Sequence, residues 1–404
     1  MDTSGNKPNI NLKMKQDNNN KPDKVNYLNL YIGTYSGYIL NITLDLSKNK
    51  KIKIDKSQTL KKICYKSSEQ MIKTIHPFKD DYIFTSGIDE IIRIYDINNL
   101  QEKGLIMSYS GTISHLEIFD SKIFAICDNN VEVFNLKDFR KLNTFSEHKN
   151  GINAFLIHSS GKLMFTVGRD NYLMMWSLLS SNQTTNLPNN KKSKAKISNC
   201  KFRYKFSSTI EMINLLWLMK EKYLIVVFIN KVLILDYNKK SENFEDWIVL
   251  EHKIKSTFDN PCKIISAKLV KERFLIIFKS NFEVEVIKIA NKENEEKTIL
   301  KDQSLCEFEI NVKFCTLDAI DSKEKEGDNI NVRLKLVDIS CGKFVFISVI
   351  SSNNEINIYD GTKMLKELFV ENNNNYKVKN YKRLNLLTDR FTCISSNQVS
   401  KNTS

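Results

Sequence analysis

The chain has little of what metal binding, nucleotide binding or export requires. Its 404 residues include five histidines, at 76, 115, 148, 158 and 252, and these do not cluster. Eight cysteines lie at 64, 127, 200, 262, 306, 315, 341 and 393 without one C-x-x-C pair. Zinc is held by closely spaced thiolates or imidazoles, so no metal is expected. G-x-x-x-x-G-K-[ST], G-x-G-x-x-G and H-E-x-x-H are all missing, which argues against a phosphate-cradling loop or a metalloprotease helix. The first 24 residues hold no apolar run of the kind a secretory signal needs. The most apolar stretch, residues 213–237, is broken by Lys220, Glu221, Lys222 and Lys231. It cannot cross a bilayer as about twenty uncharged residues. The expectation is a chain with no cofactor, no metal, no membrane contact and no small-molecule substrate. Scattered free thiols fit the reducing cytosol or nucleus.

Positive charge is in surplus: Lys plus Arg number 61 against 47 acids, for a formal charge of +14. Such a surface favours polyanions, either RNA or an acidic protein face. Solvated Lys- and Asn-rich loops produce the same composition without any partner.

Three stretches repeat one pattern. Residues 82–96 (YIFTSGIDEIIRIYD), 122–135 (KIFAICDNNVEVFN) and 163–176 (LMFTVGRDNYLMMW) each give an apolar run, a turn with an Asp, and an alternating strand ending on an aromatic. Asp89, Asp128 and Asp170 precede Tyr95, Phe134 and Trp176 by six residues each. A period of about forty built from short strands is the signature of a WD-repeat propeller. Further units end near Tyr237, Ile287 and Tyr359, with Asn353 in the place of the Asp. That makes six units and a partial one at each end. The predicted fold is all-β: a seven-bladed WD40 β-propeller closed by N- and C-terminal strands sharing one blade, which removes the open seam. Residues 1–24 are expected to be a disordered basic, Asn-rich tail, residues 25–397 the propeller, and residues 398–404 a second tail. A basic insertion is placed at about 180–200, and charged loops at about 290–303 and 321–329.

Asp89, Asp128 and Asn353 are assigned to tight turns, where a short polar side chain bonds its own backbone and tolerates unusual φ. A complete WD repeat joins a His, a strand hydroxyl, the turn Asp and a Trp in a buried hydrogen-bond relay. One repeat holds the whole set: His148, Thr166, Asp170 and Trp176. A catalytic triad is the rival reading of these residues. The Asp follows the Thr by only four residues, no nucleophile elbow is present, and the repeat accounts for all four. No catalytic residue is assigned. The candidate RNA- or partner-binding loop is basic: Lys191, Lys192, Lys194, Lys196, Lys201, Arg203 and Lys205, interleaved with Phe202, Tyr204 and Phe206. Cations between aromatics suit a phosphate backbone with stacked bases. The competing reading turns those aromatics into the sheet.

The wording around the repeats resembles the p21-activated-kinase-interacting family of WD-repeat proteins, whose fungal counterpart acts in making the large ribosomal subunit. Ile92 to Asp96, Gly104-Leu105 and Ser110 to Phe119 are similar to the family's I-x-I-Y-D, Gly-Ala/Leu-Leu and S-G-T-I-T-x-L-x-F segments. Ser160-Gly161-Lys162-Leu163, Val167-Gly168, Asp170 and Trp176 match a second segment, and Arg390 to Cys393 resembles a terminal R-L/I-T-C-L strand. Ser159 replaces a Pro, and Met174 and Met175 replace the Arg-Thr before the Trp. The resemblance implies a non-catalytic scaffold in 60S assembly, in the nucleolus or nucleus, with pre-60S assembly proteins and rRNA as partners. The alternative is a cytoplasmic signalling scaffold that binds and regulates a p21-activated-type kinase.

Overall fold

The computed structural model describes residues 24–45, 59–79, 81–97, 101–108, 110–179, 199–206, 211–239, 241, 243–254, 262–291, 308–317, 333–342, 344–373, 375–384 and 390–402. Its strands form seven sheets. Blade 1 joins β1 (Lys24–Thr34), β2 (Tyr38–Asp45) and β3 (Thr59–Lys66) to the last strand, β29 (Phe391–Asn402). Blade 2 is β4 (Ile72–Phe78), β5 (Tyr82–Gly87), β6 (Ile91–Asp96) and β7 (Glu102–Met107). Blade 3 is β8 (Ile113–Phe119), β9 (Lys122–Cys127), β10 (Asn130–Asn135) and β11 (Lys141–Phe145). Blade 4 is β12 (Ile152–Ile157), β13 (Leu163–Gly168), β14 (Tyr172–Ser177) and β15 (Cys200–Lys205). Blade 5 is β16 (Met212–Leu218), β17 (Tyr223–Phe228), β18 (Lys231–Leu235) and β19 (Ile248–Lys253). Blade 6 is β20 (Ile264–Val270), β21 (Phe274–Lys279), β22 (Glu283–Asn291) and β23 (Phe308–Leu317). Blade 7 is β24 (Leu334–Cys341), β25 (Val345–Ser351), β26 (Ile356–Asp360) and β28 (Asn380–Leu384).

The core is divided. Seven apolar clusters lie between successive blades, the last between blades 7 and 1. Period-two alternation makes this arrangement possible. In β17 every residue is buried. Leu224, Val226 and Phe228 pack toward blade 4, while Tyr223, Ile225 and Val227 pack toward blade 6. A strand apolar on both faces must be covered on both, and a ring of blades covers it.

Closure comes from the ends of the described chain. β29 pairs antiparallel with β1 from Lys24↔Asn402 to Thr34↔Phe391. Residues 398–402, expected as a tail, therefore continue the strand, because β1 offers them a matching edge out to Lys24. Lys24 itself, expected in the N-terminal tail, is the first residue of β1. Residues 1–23 and 403–404 lie outside the described residues, as do 292–303 and 321–329 of the expected charged loops.

Blade 7 holds an element the repeat pattern does not show. After β26 the chain enters α1 (Gly361–Phe369), capped by Asp360, whose side chain accepts from the Lys363 N–H at 2.9 Å. Met364, Leu365 and Leu368 face the core between blades 6 and 7. The chain then lays β27 (Asn375–Val378) parallel to β23, as a fifth strand on blade 6, and returns as β28.

Candidate functional site: polar networks of the blades and the basic strand

Strand register aligns the blades position by position. The first residue of each inner strand pairs with Gly87, Cys127, Gly168, Phe228 and Lys279 in blades 2 to 6. Trp176 pairs with Met164, and its counterparts are Tyr95, Phe134, Leu235 and Ile287. In blade 5 the counterpart is thus Leu235, and Tyr237 lies past the strand end. There the Tyr237 hydroxyl donates to the Glu221 carbonyl at 2.6 Å.

Blade 4 brings His148, Thr166, Asp170 and Trp176 together. Trp176 Nε1–H donates to Thr166 Oγ1 at 2.8 Å, and Thr166 Oγ1 lies 2.7 Å from His148 Nε2. His148 Nδ1 lies 2.9 Å from Asp170 Oδ1. One proton arrangement satisfies every atom: indole to hydroxyl, hydroxyl to Nε2, Nδ1–H to carboxylate. It needs a neutral imidazole. Burial holds the His148 pKa below its ordinary value, and Asp170 offsets only part of this. Asp170 also accepts from the Lys149 N–H at 2.9 Å. The relay needs a glycine beside it, since a Cβ on Gly168 would stand 2.4 Å from His148 Nδ1 and 2.6 Å from Asp170 Oδ1.

The other blades fill the same places differently. In blade 2, Tyr95 OH and Ser67 Oγ are 2.9 Å apart, and Ser67 meets Thr85 at 3.3 Å. The turn residue Asp89 accepts from Ser68 Oγ at 2.8 Å and pairs with Arg93. In blade 3 the turn residue Asp128 sits at φ 48°, and the fully buried Glu132 accepts from Ser108 Oγ at 2.8 Å, from Ser110 Oγ and from Lys141. An open cleft of about 630 Å³ beside it is lined by Leu105, Met107, Phe134, Phe139 and Lys141. In blade 6, Lys279 and Glu285 are both buried and meet at 2.5 Å, and His252 Nε2 lies 2.8 Å from Glu285. Burial opposes both charges. The hydrogen bonds from His252 and Lys279 still hold the Glu285 carboxyl below its usual range, and the two glutamates hold Lys279 above its own. In blade 7, Asn353 accepts from Ser351 Oγ and from the Glu355 N–H at 3.4 Å. Sequence reasoning missed the Glu132 and Lys279–Glu285 networks. Period-two alternation places Glu132 and Glu285 where a solvated face would carry them, so no local signal marked their burial.

The basic loop divides. Lys191, Lys192, Lys194 and Lys196 lie outside the described residues. Lys201, Arg203 and Lys205 alternate outward on β15. Arg203 pairs with Glu147, and Arg203 and Lys205 each lie 5.7 Å from the Tyr172 ring. The interleaved aromatics are not a stacking platform for bases. Phe202 stacks on Trp247 at 4.4 Å, Tyr204 stacks on Phe244 at 3.7 Å, and Phe206 is buried against Phe228. Strand alternation sends them inward, where a 3-10 helix, Phe244–Trp247, covers them.

The inner strands carry further titratable groups. Burial, together with the positive charge of His76 and Lys268, pushes His115 down to about 4, and burial pushes Glu117 up to about 7. His115 keeps solvent contact while protein encloses it, and its ring packs edge-on to Phe155 at 5.3 Å. Burial raises the thiols of Cys127, Cys315 and Cys393 to about 12, so these sulfurs stay protonated at neutral pH.

Comparison with known proteins agrees with the repeat reading. Residues 139–177 match the family described as WD domain, G-beta repeat. The chain is 33% identical over 100 residues to the p21-activated protein kinase-interacting protein 1-like of Gallus gallus, covering 24% of this chain and 27% of that protein. Its counterpart in Xenopus laevis is 34% identical over 100 residues, covering 24% and 28%. Protein MAK11 of Saccharomyces cerevisiae is 23% identical over 160 residues, covering 35% of this chain and 39% of that one. The matched stretches thus span well under half the length of these relatives. Among solved structures, the β-propeller domain of Cps50 (Swd1) from Myceliophteria thermophila aligns with a TM-score of 0.50 at 12% identity, covering 72% of this chain and 82% of that chain. That likeness shows the fold alone. The chain is a seven-bladed WD-repeat propeller, similar over part of its length to p21-activated protein kinase-interacting protein 1-like proteins and to MAK11.

Proposed function

We propose that this propeller is a non-catalytic scaffold in the assembly of the large ribosomal subunit. It works in the nucleolus or nucleus and positions pre-60S assembly proteins against rRNA. The reading rests on the similarity to MAK11 over 160 residues, together with the ribosome-assembly resemblance carried by Ser110 to Phe119 and Ser160 to Asp170. The polar chemistry agrees with it. Asp89, Glu132, the His148–Asp170 relay and the Lys279–Glu285 pair bond to neighbours within the fold, which suits groups that hold blades in register.

Affinity purification of the tagged chain, with identification of protein and RNA, tests the proposal. Large-subunit assembly factors and precursor rRNA are the expected companions. The names of the vertebrate relatives supply the second reading, in which the companion is a p21-activated protein kinase. Recovery of such a kinase without assembly factors would replace the first reading with the second. Neutralising Lys191, Lys192, Lys194 and Lys196 to Gln should weaken association with pre-60S particles most at low salt, where counterion release contributes most. Unchanged sedimentation with the particles would remove this loop from the RNA contact.

A further inference from the structure

The turns joining the first and second strands of the blades gather on one face. Ser159, in the turn of blade 4, donates its N–H to Glu221 in the turn of blade 5 at 2.9 Å. A Cβ on Gly161 of blade 4 would stand 3.2 Å from the Phe119 ring at the end of β8 in blade 3. Gln398 of β29 donates to the Phe344 carbonyl of blade 7 at 2.7 Å. These contacts join blades 3 to 4, 4 to 5 and 7 to 1 at one mouth of the ring.

In sequence, the same turn of blade 2 sets Asp80 and Asp81 beside its cation, blade 3 Asp120, blade 5 Glu221 and blade 6 Glu272, so that among blades 2 to 6 cations outnumber acids only in blades 4 to 6; the cations at these turns are Lys79, Lys122, Lys162, Lys220, Lys222, Lys271 and Arg273. All are exposed except Lys122, which is half-buried. Lys79, Lys220 and Lys271 hold left-handed φ of 53°, 51° and 51°, a region Gly, Asn and Asp occupy at less cost. Carboxylates are fewer there, and one of them, Glu221, is taken by Ser159 and by His158 at 3.5 Å. The opposite face, carrying the turns between second and third strands, is different. Four of its cations are matched by acids, Arg93 by Asp89, Arg203 by Glu147, Lys231 by Glu251 and Lys66 by Glu69, and Lys149, Arg169, Lys263 and Arg333 stand exposed on the same face.

We infer that the face bearing the first turns is an RNA-binding surface in blades 4 to 6, with Lys162, Lys220, Lys271 and Arg273 contacting the phosphate backbone at the mouth of the ring. Two arguments favour RNA over an acidic protein. Protein interfaces are organised around desolvated aromatic or Arg anchors and are depleted in Lys. These turns instead present separate Lys point charges, the chemistry of sequence-independent phosphate contact. The surface sharpens the proposed role in subunit assembly and rests on that reading for its biological RNA. The site itself can be tested without it.

The test is fluorescence anisotropy of the full chain with a labelled single-stranded oligouridylate of about twenty nucleotides, between about 50 and 200 mM salt. The variant K162E/K220E/K271E/R273E should bind at least about tenfold more weakly. Its plot of log affinity against log salt should be shallower by about 0.7 for each phosphate that the protein no longer neutralises. The variant K149E/R169E/K263E/R333E, on the opposite face, should bind within about threefold of the wild type. If charge reversal prevents folding, judged by circular dichroism, the Lys→Gln and Arg→Gln set at the same positions replaces it, with a smaller loss expected. Equal losses from both faces, wild-type binding by the first variant, or displacement of the labelled RNA by polyglutamate as readily as by unlabelled oligouridylate would each overturn the inference. Sedimentation with pre-60S particles separates the two levels. RNA binding through these turns without particle association removes the assembly reading and leaves the surface. Particle association without RNA binding does the reverse.

Discussion

Blades 4 and 6 solve one problem with opposite chemistry. Both must place polar groups in the gap between neighbouring sheets. Blade 4 uses a chain of donors and acceptors with a neutral imidazole, running from Trp176 to the Asp170 carboxylate, with Gly168 leaving room for the ring. Blade 6 puts Lys279 at the position of Gly168 and Glu285 at that of Met174, making a buried ion pair supported by His252. The relay has one ion to desolvate, and the His148 Nδ1–H and the Lys149 N–H both bond to it. A buried pair offsets the desolvation of two ions through its own attraction and fails sharply when one is removed. The repeat thus keeps a place for polarity and leaves its chemistry free.

The largest expected effect breaks the charged side of the comparison. Glu285→Ala leaves Lys279 buried with only Glu283 nearby, and should cost about 3–5 kcal/mol in urea unfolding. The double change Lys279→Met with Glu285→Leu should cost far less than Glu285→Ala alone, or stabilise. A double variant no more stable than the single one would mean the pair is not the unit that matters.

In blade 4, Thr166→Val removes the shared hydroxyl and strands both the Trp176 N–H and His148 Nε2. Each stranded group should cost about 1–3 kcal/mol. Trp176→Phe should be milder, because Thr166 and His148 still meet. Equal losses from the two would show that the indole, and not the hydroxyl, anchors the relay.

Acidification should separate the blades by pH window. His148 has a folded pKa below its unfolded value, so folding favours the neutral ring, and its contribution is lost as pH falls through the unfolded value of about 6.5. His115 acts in the same direction down to about 4. The lowered pKa of Glu285 has its own sign: its contribution is present above the unfolded value of about 4.3 and is lost only below it. Glu117, raised to about 7, opposes the histidines, because its contribution is present at low pH and is lost as pH rises from about 4.3 through 7. Melting temperatures from pH 7.5 to 5 should therefore fall less in His148→Gln than in the wild type. Glu285→Gln should keep the wild-type slope in that range. A steeper slope in His148→Gln would overturn the assignment of the neutral ring.

The smallest effect is at the surface. Arg203→Ala breaks an ion pair with Glu147 that is half-exposed on the arginine side, and should change stability by less than about 1 kcal/mol. A larger loss would mean that Arg203 packing on Tyr172 carries more than its charge does.

Much of this contrast was legible in blade 4 and little of it in blade 6. His148, Thr166, Asp170 and Trp176 stand at spacings that a repeat marks, so their meeting could be read before any fold. Lys279 and Glu285 are six residues apart on adjacent strands, and His252 comes from the preceding blade. No local pattern distinguishes their burial from a solvated pair. The aromatics of β15 taught the same lesson. Phe202 and Tyr204 between cations look like a base platform until Trp247 and Phe244, about forty residues on, cover them.

The sequence by itself determined the alternating strands, the Asp turns, the forty-residue period and the closure of first strands by last. The strands and turns depend on residues two to six positions apart, because side-chain direction in a strand repeats every two, and repetition of that unit calls for a closed ring. Only the tertiary structure decided which buried charges meet, where α1 and β27 cross from blade 7 to blade 6, and how the basic turns line up on one face. Those outcomes join residues tens of positions apart across the gaps between blades, where packing chooses the partner.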